Sequence, residues 1–212
     1  MQSSSYVDRS IDYDDWSSYD AHMTTGTSPD TRTIPGGAAF EVQVRRARPT
    51  DLPQLQALAD RCSFETLHRR FHGSGPSTIH RELERVASPT PQHRSWVAAE
   101  GEFIRGAATL AFGRDGSAEA AFLVEDAWFR RGLGRRLFGA MATEAAHIPV
   151  DTIVAWVQPD NVAARRFLRA VAPSARTIFA GMGELEMLVP VTVDRWVADV
   201  REPHVAQLQE IA

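Results

Sequence analysis

The densest set of chemically useful residues in the sequence runs Phe129-Arg130-Arg131-Gly132-Leu133-Gly134-Arg135-Arg136. It follows an apolar stretch, Ala118 to Val124, and leads into Leu133, Leu137 and Met141 at helical spacing. The expected form is strand, loop, helix, with both glycines in the first turn. A helix N-terminus presents peptide N–H groups without intrahelical acceptors, together with a partial positive charge. Glycine there lets an anion approach those groups, and Arg130, Arg131, Arg135 and Arg136 add fixed positive charge. Such a cradle suits a pyrophosphate or a 3′-phosphate. Two commoner phosphate motifs are excluded: the dinucleotide fingerprint needs a glycine where Leu137 stands, and the nucleotide-triphosphate loop needs a lysine, which the chain lacks. A solvated arginine-rich helix face is the plainer alternative. No aromatic residues interleave the cluster and the net charge is −4, so a nucleic-acid surface is not expected.

One carboxylate interrupts the apolar strand, that of Glu119. Buried there, its pKa would rise, which fits it to take a proton from an attacking ammonium, directly or through water. The alternative places it on the strand's solvent face. Glu100, Glu102 and Glu125 are weaker candidates at strand ends. Cys62 is the only cysteine, so no intrachain disulfide can form, and a buried thiol is expected rather than an acyl carrier. His68 and His72 share helical i, i+4 spacing, but no third ligand lies near them; a surface pair and no metal site are expected.

A second segment, Val157-Gln158-Pro159-Asp160-Asn161-Val162-Ala163-Ala164-Arg165-Arg166-Phe167-Leu168, reads as a strand end, a cap at Asp160 or Asn161, and a helix burying Ala164, Phe167, Leu168 and Val171. Together the two segments resemble the GNAT superfamily of acyl-CoA-dependent N-acyltransferases. Its donor motif is Gln/Arg-x-x-Gly-x-Gly/Ala after a strand, here departing at Phe129. Its later motif is Asn-x-x-Ala-x-x-Phe/Leu followed by Tyr, here departing at Leu168. Arg48-Pro49-Thr50-Asp51 resembles the family's first strand–helix junction, and the resemblance spans about residues 42–189. The opening and the strand Ala118-Glu119-Ala120-Ala121 look most like the bacterial protein-lysine acetyltransferase branch.

The resemblance implies an α/β fold: a mixed, mostly antiparallel twisted sheet with a splayed parallel strand pair and flanking helices. Acetyl-CoA would lie where strands 118–124 and 152–157 part. Arg130, Arg131, Gly132, Leu133, Gly134, Arg135 and Asn161 would hold it, and a backbone N–H near Leu123 or Val124 would face the thioester oxygen. Glu119 would be the base, and the acceptor would be a primary amine of a small molecule or protein. The thiolate-protonating Tyr of the family is absent, because all three tyrosines, Tyr6, Tyr13 and Tyr19, precede the domain. A thiol of pKa ~8.5 leaves with little help near neutrality. The departures at Phe129 and Leu168 also fit a regulatory acyl-CoA-binding module without catalysis. A third reading is an interaction module worked by the acidic N-terminal segment.

The elements that must position these residues can be read from periodicity and breakers. Residues 1–38 are polar and acidic without a steady apolar period and read as a disordered tail; 39–190 form the domain and 191–212 an extension. Strands are expected from Phe40 to Val44, Trp96–Ala99, Phe103–Phe112, Ala118–Val124, Thr152–Val157, and near Thr177–Phe179 and Glu184–Val189. Helices are expected after Asp51, from Ser63, from Ser77 to Ala87, from Gly132 to Ala146 with Arg135, Arg136 and Glu144 toward water, and from Asn161 to Val171. No apolar run approaches the ~18 residues of a membrane span, and the first residues lack the basic and apolar regions of a secretory signal. A soluble cytoplasmic monomer or homodimer, without nucleic-acid or membrane partners, is expected.

Overall fold

The computed structural model describes residues 42–72, 75–113, 115–181 and 184–191. The expected 1–38 tail, the start of the first strand at Phe40, and the 191–212 extension beyond Val191 lie outside them. The element order is β1 (Val42–Arg46), α1 (Leu52–Arg61), α2 (Phe64–Phe71), α3 (Pro76–Ala87), β2 (His93–Glu100), β3 (Phe103–Phe112), β4 (Ser117–Val124), α4 (Leu133–Ala145), β5 (Thr152–Val157), α5 (Val162–Val171), β6 (Arg176–Gly181) and β7 (Glu184–Pro190). The strands form one sheet in the order β1-β2-β3-β4-β5-β7-β6. Every neighbouring pair is antiparallel except β4 and β5, which are parallel.

Helices cover both faces of the sheet, so its central strands are apolar on both sides. On one face Leu133, Leu137, Phe138 and Met141 of α4 pack on Trp96, Ala98, Ala108, Leu110, Ala118 and Ala120. On the other, Leu55 and Leu58 of α1 and Leu83 and Val86 of α3 pack on Val97, Ile104, Ala107 and Leu123. The two sets alternate along each strand, as a period of two requires. A fully buried leucine such as Leu137 contributes about 1.5–3 kcal/mol to this core.

Local chemistry sets the ends. Ser63 caps α2 by accepting from the Thr66 amide at 3.2 Å, and Asn161 caps α5 by accepting from the Ala164 amide at 3.0 Å. Asp51 works backward rather than capping α1. It accepts from the Arg48 amide at 2.8 Å and from both Nη atoms of Arg45 at 2.7 and 2.8 Å, fastening β1 to the turn that enters α1. Two side chains expected to face water are engaged instead. The Arg136 guanidinium donates to the Val42 carbonyl at 2.8 Å, and Glu144 pairs with Arg46 and Arg94, so α4 is fastened to β1 and β2.

The site depends most on where the sheet opens. β4 and β5 pair only at Ser117 with Thr152, Ala118 with Ile153 and Glu119 with Val154. Past that point β4 stays paired with β3 as far as Val124, and β5 with β7 as far as Val157. The inner edges of the two strands therefore part into a gap within the sheet.

Candidate active site

At the wide end of the gap, β4 passes through a 3-10 turn, Asp126–Trp128, into the loop that starts α4. Phe129 through Gly132 are exposed. Arg130 has φ 61° and Gly132 φ 81°, two left-handed residues that turn the backbone sharply before the helix. Among the described residues, none of the peptide N–H groups from Arg130 to Arg135 donates to another backbone group; the first to do so is that of Arg136, to the Gly132 carbonyl at 3.1 Å. These donors stand free at the positive end of a 13-residue helix.

The two glycines do different work. A Cβ on Gly132 would meet nothing within 4 Å, so only its backbone conformation calls for glycine. A Cβ on Gly134 would lie 3.1 Å from the Phe167 ring, so Gly134 allows α4 and α5 to approach. Phe167 packs edge-on against Phe122 of β4 and Phe138 of α4, with ring centroids 5.6 and 6.3 Å away. This aromatic trio closes the α4–α5 side of the gap. The arginines also divide. Arg131 lies over the Trp128 ring at 5.1 Å, and Arg135 reaches the Ala170 carbonyl at 3.4 Å from an exposed position. Asn161 uses its side-chain oxygen as the α5 cap.

Strand alternation fixes which peptides face the gap. The Glu125 amide donates to the Arg105 carbonyl of β3 at 2.9 Å. The β3–β4 ladder carries no register shift from Ala118 to Val124, so the peptide groups of Leu123 also point to β3. Those of Phe122 and Val124 point the other way, into the gap. Of the two expected oxyanion donors, geometry retains Val124 and removes Leu123. The Val124 carbonyl also faces away from β3, where the Cys62 thiol approaches it at 3.9 Å.

Glu119 sits at the narrow end of the gap, opposite Ala111 and Val154. It shares a face with Ala121 and Leu123, the face covered by α2 and α3. It is exposed, the solvent-facing alternative rather than the buried carboxylate: β4 is apolar only on alternate positions here. Beside it, Arg70, Phe71, Leu83, Val86, Ala107, Thr109, Ala121 and Leu123 line a shallow cleft that opens to solvent. Burial weakens the hold of Arg70 on its proton, and the carboxylates of Glu82 and Glu119 offset part of that.

Three ties hold α2 over this face. Asp126, just after β4, accepts from the Ser63 amide at 2.8 Å, the Ser63 hydroxyl at 2.7 Å and the Thr66 hydroxyl at 2.8 Å. Partial burial would push Asp126 up, but these bonds hold its carboxyl below the usual range. At the other end, Arg69 lies 3.9 Å from Asp160, and His72 pairs with Glu184 at 2.9 Å. The helix thus spans the opening from the β4 side to the β5 side. The sequence held no signal for these ties, because each joins residues far apart in the chain.

The sequence matches the acetyltransferase (GNAT) family over residues 55–171. The chain belongs to the GNAT family. Members take their acyl group from acetyl-CoA, and the splayed sheet and the free amides of α4 are where this chain could hold such a donor. It is 36% identical over 115 residues to a mycothiol acetyltransferase of Clavibacter sepedonicus and 34% identical over 110 residues to the acetyltransferase Pat of Mycolicibacterium smegmatis. Those matches cover 48% and 50% of this chain but only 36% and 33% of the two relatives' lengths. Among solved structures, the GNAT domain of S. lividans PAT superposes with a TM-score of 0.64 at 19% identity, covering 77% of this chain and 96% of that one. The PaiA N-acetyltransferase of Thermoplasma acidophilum, solved with coenzyme A, gives 0.59 at 13% identity, covering 71% and 99%.

Against the GNAT pattern, Leu168 replaces the usual Tyr and is 4% exposed among Ala155, Val157 and Met187. Phe129, at the other departure, is 48% exposed, and its amide bonds the Asp126 carbonyl at 3.1 Å. Its side chain leaves the following amides open. Glu100 and Glu125 are occupied structurally. Glu125 takes Arg61 at 2.9 Å and Arg105 at 2.9 Å, while Arg105 also holds Glu100 at 2.9 Å. Glu102 lies exposed in the β2–β3 turn. Cys62 is buried, and burial together with the nearby Asp126 and Glu125 pushes its thiol up to about 12, so it is a poor nucleophile. His72 is the left-handed C-cap of α2 rather than a helical residue, and His68 packs on Phe64, so the two do not form an i, i+4 pair on one helix. Among the described residues no group of three metal-ligating side chains forms, and no helix is long and apolar enough to cross a membrane.

Proposed function

We propose that this protein is an N-acetyltransferase that moves an acetyl or short acyl group from acyl-CoA to a primary amine by direct attack. One observation carries the reading: the β4–β5 gap opens beside a loop whose peptide N–H groups, Arg130 to Arg135, have no backbone acceptors. Those amides would bind the donor's pyrophosphate. Arg130, Arg131 and Arg135 would add charge around it. Gly132, Leu133 and Gly134 would supply backbone, and Asn161 would hold the α5 terminus beside it. The Val124 amide would face the thioester oxygen in the gap.

Glu119 would take the proton that the acceptor ammonium must lose, through a chain of waters, because about 16 Å of strand separates it from the Val124 amide. The neutral amine then forms a C–N bond at the thioester carbon, the C–S bond breaks, and the thiolate leaves. The second nitrogen proton passes to Glu119 or to the thiolate, and the balance is ammonium plus thioester to amide, thiol and one released proton. The acceptor would be a small molecule or a protein; similarity to mycothiol acetyltransferase supports the former.

A second reading rests on Leu168, whose apolar burial removes the usual thiolate proton donor: a regulatory module that binds acyl-CoA without turnover. Titration calorimetry with acetyl-CoA, followed by thiol release across a panel of primary amines, separates the two. Binding with amine-dependent release supports the transferase; binding without release against any amine supports the regulatory module. Absence of binding contradicts both.

A further inference from the structure

The proposed reaction leaves one charged group without a role. Arg70 projects from α2 into the cleft over β3 and β4, half-buried between Phe71, Leu83 and Val86. Most buried or half-buried arginines among the described residues end on a carboxylate or carbonyl: Arg45 on Asp51, Arg61 on Glu125, Arg105 on Glu100, Arg136 on Val42. Arg70 does not. Among the described residues no carboxylate lies within ion-pair distance of its guanidinium, which lies 4.7 Å from the Phe71 ring centroid. Its electrostatic neighbours are Glu82, Glu119 and His93, all at longer range. A half-buried guanidinium with its donors unused is a site for an anion that is not part of the protein.

The cleft floor fits that role. Ala107, Ala121 and Leu123 leave it narrow and apolar, while Thr109, 6% exposed, puts a hydroxyl on the same floor. Glu119 stands on the same face of β4, one strand residue beyond Ala121 in the alternation. A negative group for an ammonium and a positive group for an anion therefore flank one small cleft at the edge of the gap.

Resting on the transferase reading, we propose that the acceptor is a small amine bearing a carboxylate close to its amino group, with the carboxylate on Arg70 and Thr109 and the amine toward Glu119 and the gap. A lysine side chain within a protein carries no carboxylate at that distance, so this choice separates the two acceptor classes.

The test pairs each of a set of amino acids, β-alanine and γ-aminobutyrate among them, with its decarboxylated amine, such as propylamine. Acetyl-CoA affinity is measured separately by calorimetry, as is binding of each acceptor without donor. The carboxylated member should bind more tightly and show a kcat/KM about ten- to a hundredfold higher, the range of a charge-assisted bidentate contact. Arg70→Gln should remove that advantage, leave the decarboxylated amines unchanged and leave acetyl-CoA affinity intact; Arg70→Lys should restore part of it. Equal use of both members of each pair, equal loss for both in Arg70→Gln, or acetylation confined to lysine side chains of a peptide would overturn the proposal while leaving the transferase intact. Failure of acetyl-CoA to bind would overturn the transferase reading itself.

Discussion

The two glycines of the donor loop offer a contrast that few other substitutions in this chain can match. Gly132 holds φ 81° with open space where a Cβ would go, so Gly132→Ala adds no clash. It adds only the cost of a left-handed alanine, about 1–2 kcal/mol. Because the loop is exposed, it can relax away from that conformation in the free protein, and ligand binding must then restore it. Acetyl-CoA affinity should fall about five- to thirtyfold, with the melting temperature little changed. Gly132→Asn, which tolerates left-handed backbone better, should fall between wild type and alanine. Gly134→Ala is the reverse case. Its Cβ would press on Phe167 at 3.1 Å, within the trio that joins α4, α5 and β4, so about 1–3 kcal/mol of stability should be lost through overpacking. Calorimetry with acetyl-CoA and urea denaturation on both variants read the two effects separately. Unchanged affinity in Gly132→Ala beside a binding loss without destabilisation in Gly134→Ala would refute the assignment of roles.

Further expectations concern the base, the buried histidine and the missing tyrosine. Glu119→Gln should lower kcat about a hundredfold with acetyl-CoA affinity unchanged, as loss of a general base does; an unchanged kcat in steady-state assays would remove Glu119 from the chemistry. Burial, then the charges of Arg85 and Arg70, push His93 down from 6.5 to about 4. Between those values the unfolded chain binds a proton that the folded one does not, so stability is complete above about pH 6.5 and falls by about 3 kcal/mol as pH drops to 4. In urea unfolding across that range, His93→Phe should flatten this slope, and an unaltered slope would contradict the assignment. Leu168→Tyr should destabilise by about 1–3 kcal/mol without raising kcat, because Ala155, Val157 and Met187 leave no room for the ring; a gain in turnover would show that the position still faces the thioester.

Much of the fold was legible because its signals are local. The alternation of Val42 and Val44, the apolar spacing of α4 and the cap at Asn161 each depend on residues within a few positions of one another. The donor loop was legible for the same reason, since two glycines at the start of an amphipathic helix already define a set of free amides. Long-range features were not. Nothing near Glu119 in sequence reveals that its side chain is exposed, and nothing near Arg70 reveals the cleft it enters. Arg136 and Glu144 read as solvent-facing on a helical wheel, yet β1 and β2 supply partners for both. Asp126 looks like a loop residue and serves as the tie between β4 and α2. The choice between Leu123 and Val124 needed the ladder register, which no local pattern encodes.

Hydrogen exchange followed by mass spectrometry, with and without coenzyme A, addresses the donor site most directly. Slowed exchange is expected, confined to the amides from Arg130 to Arg135 and to Phe122 and Val124 on the inner edge of β4. Protection elsewhere in the sheet, or none at saturating coenzyme A, would contradict it.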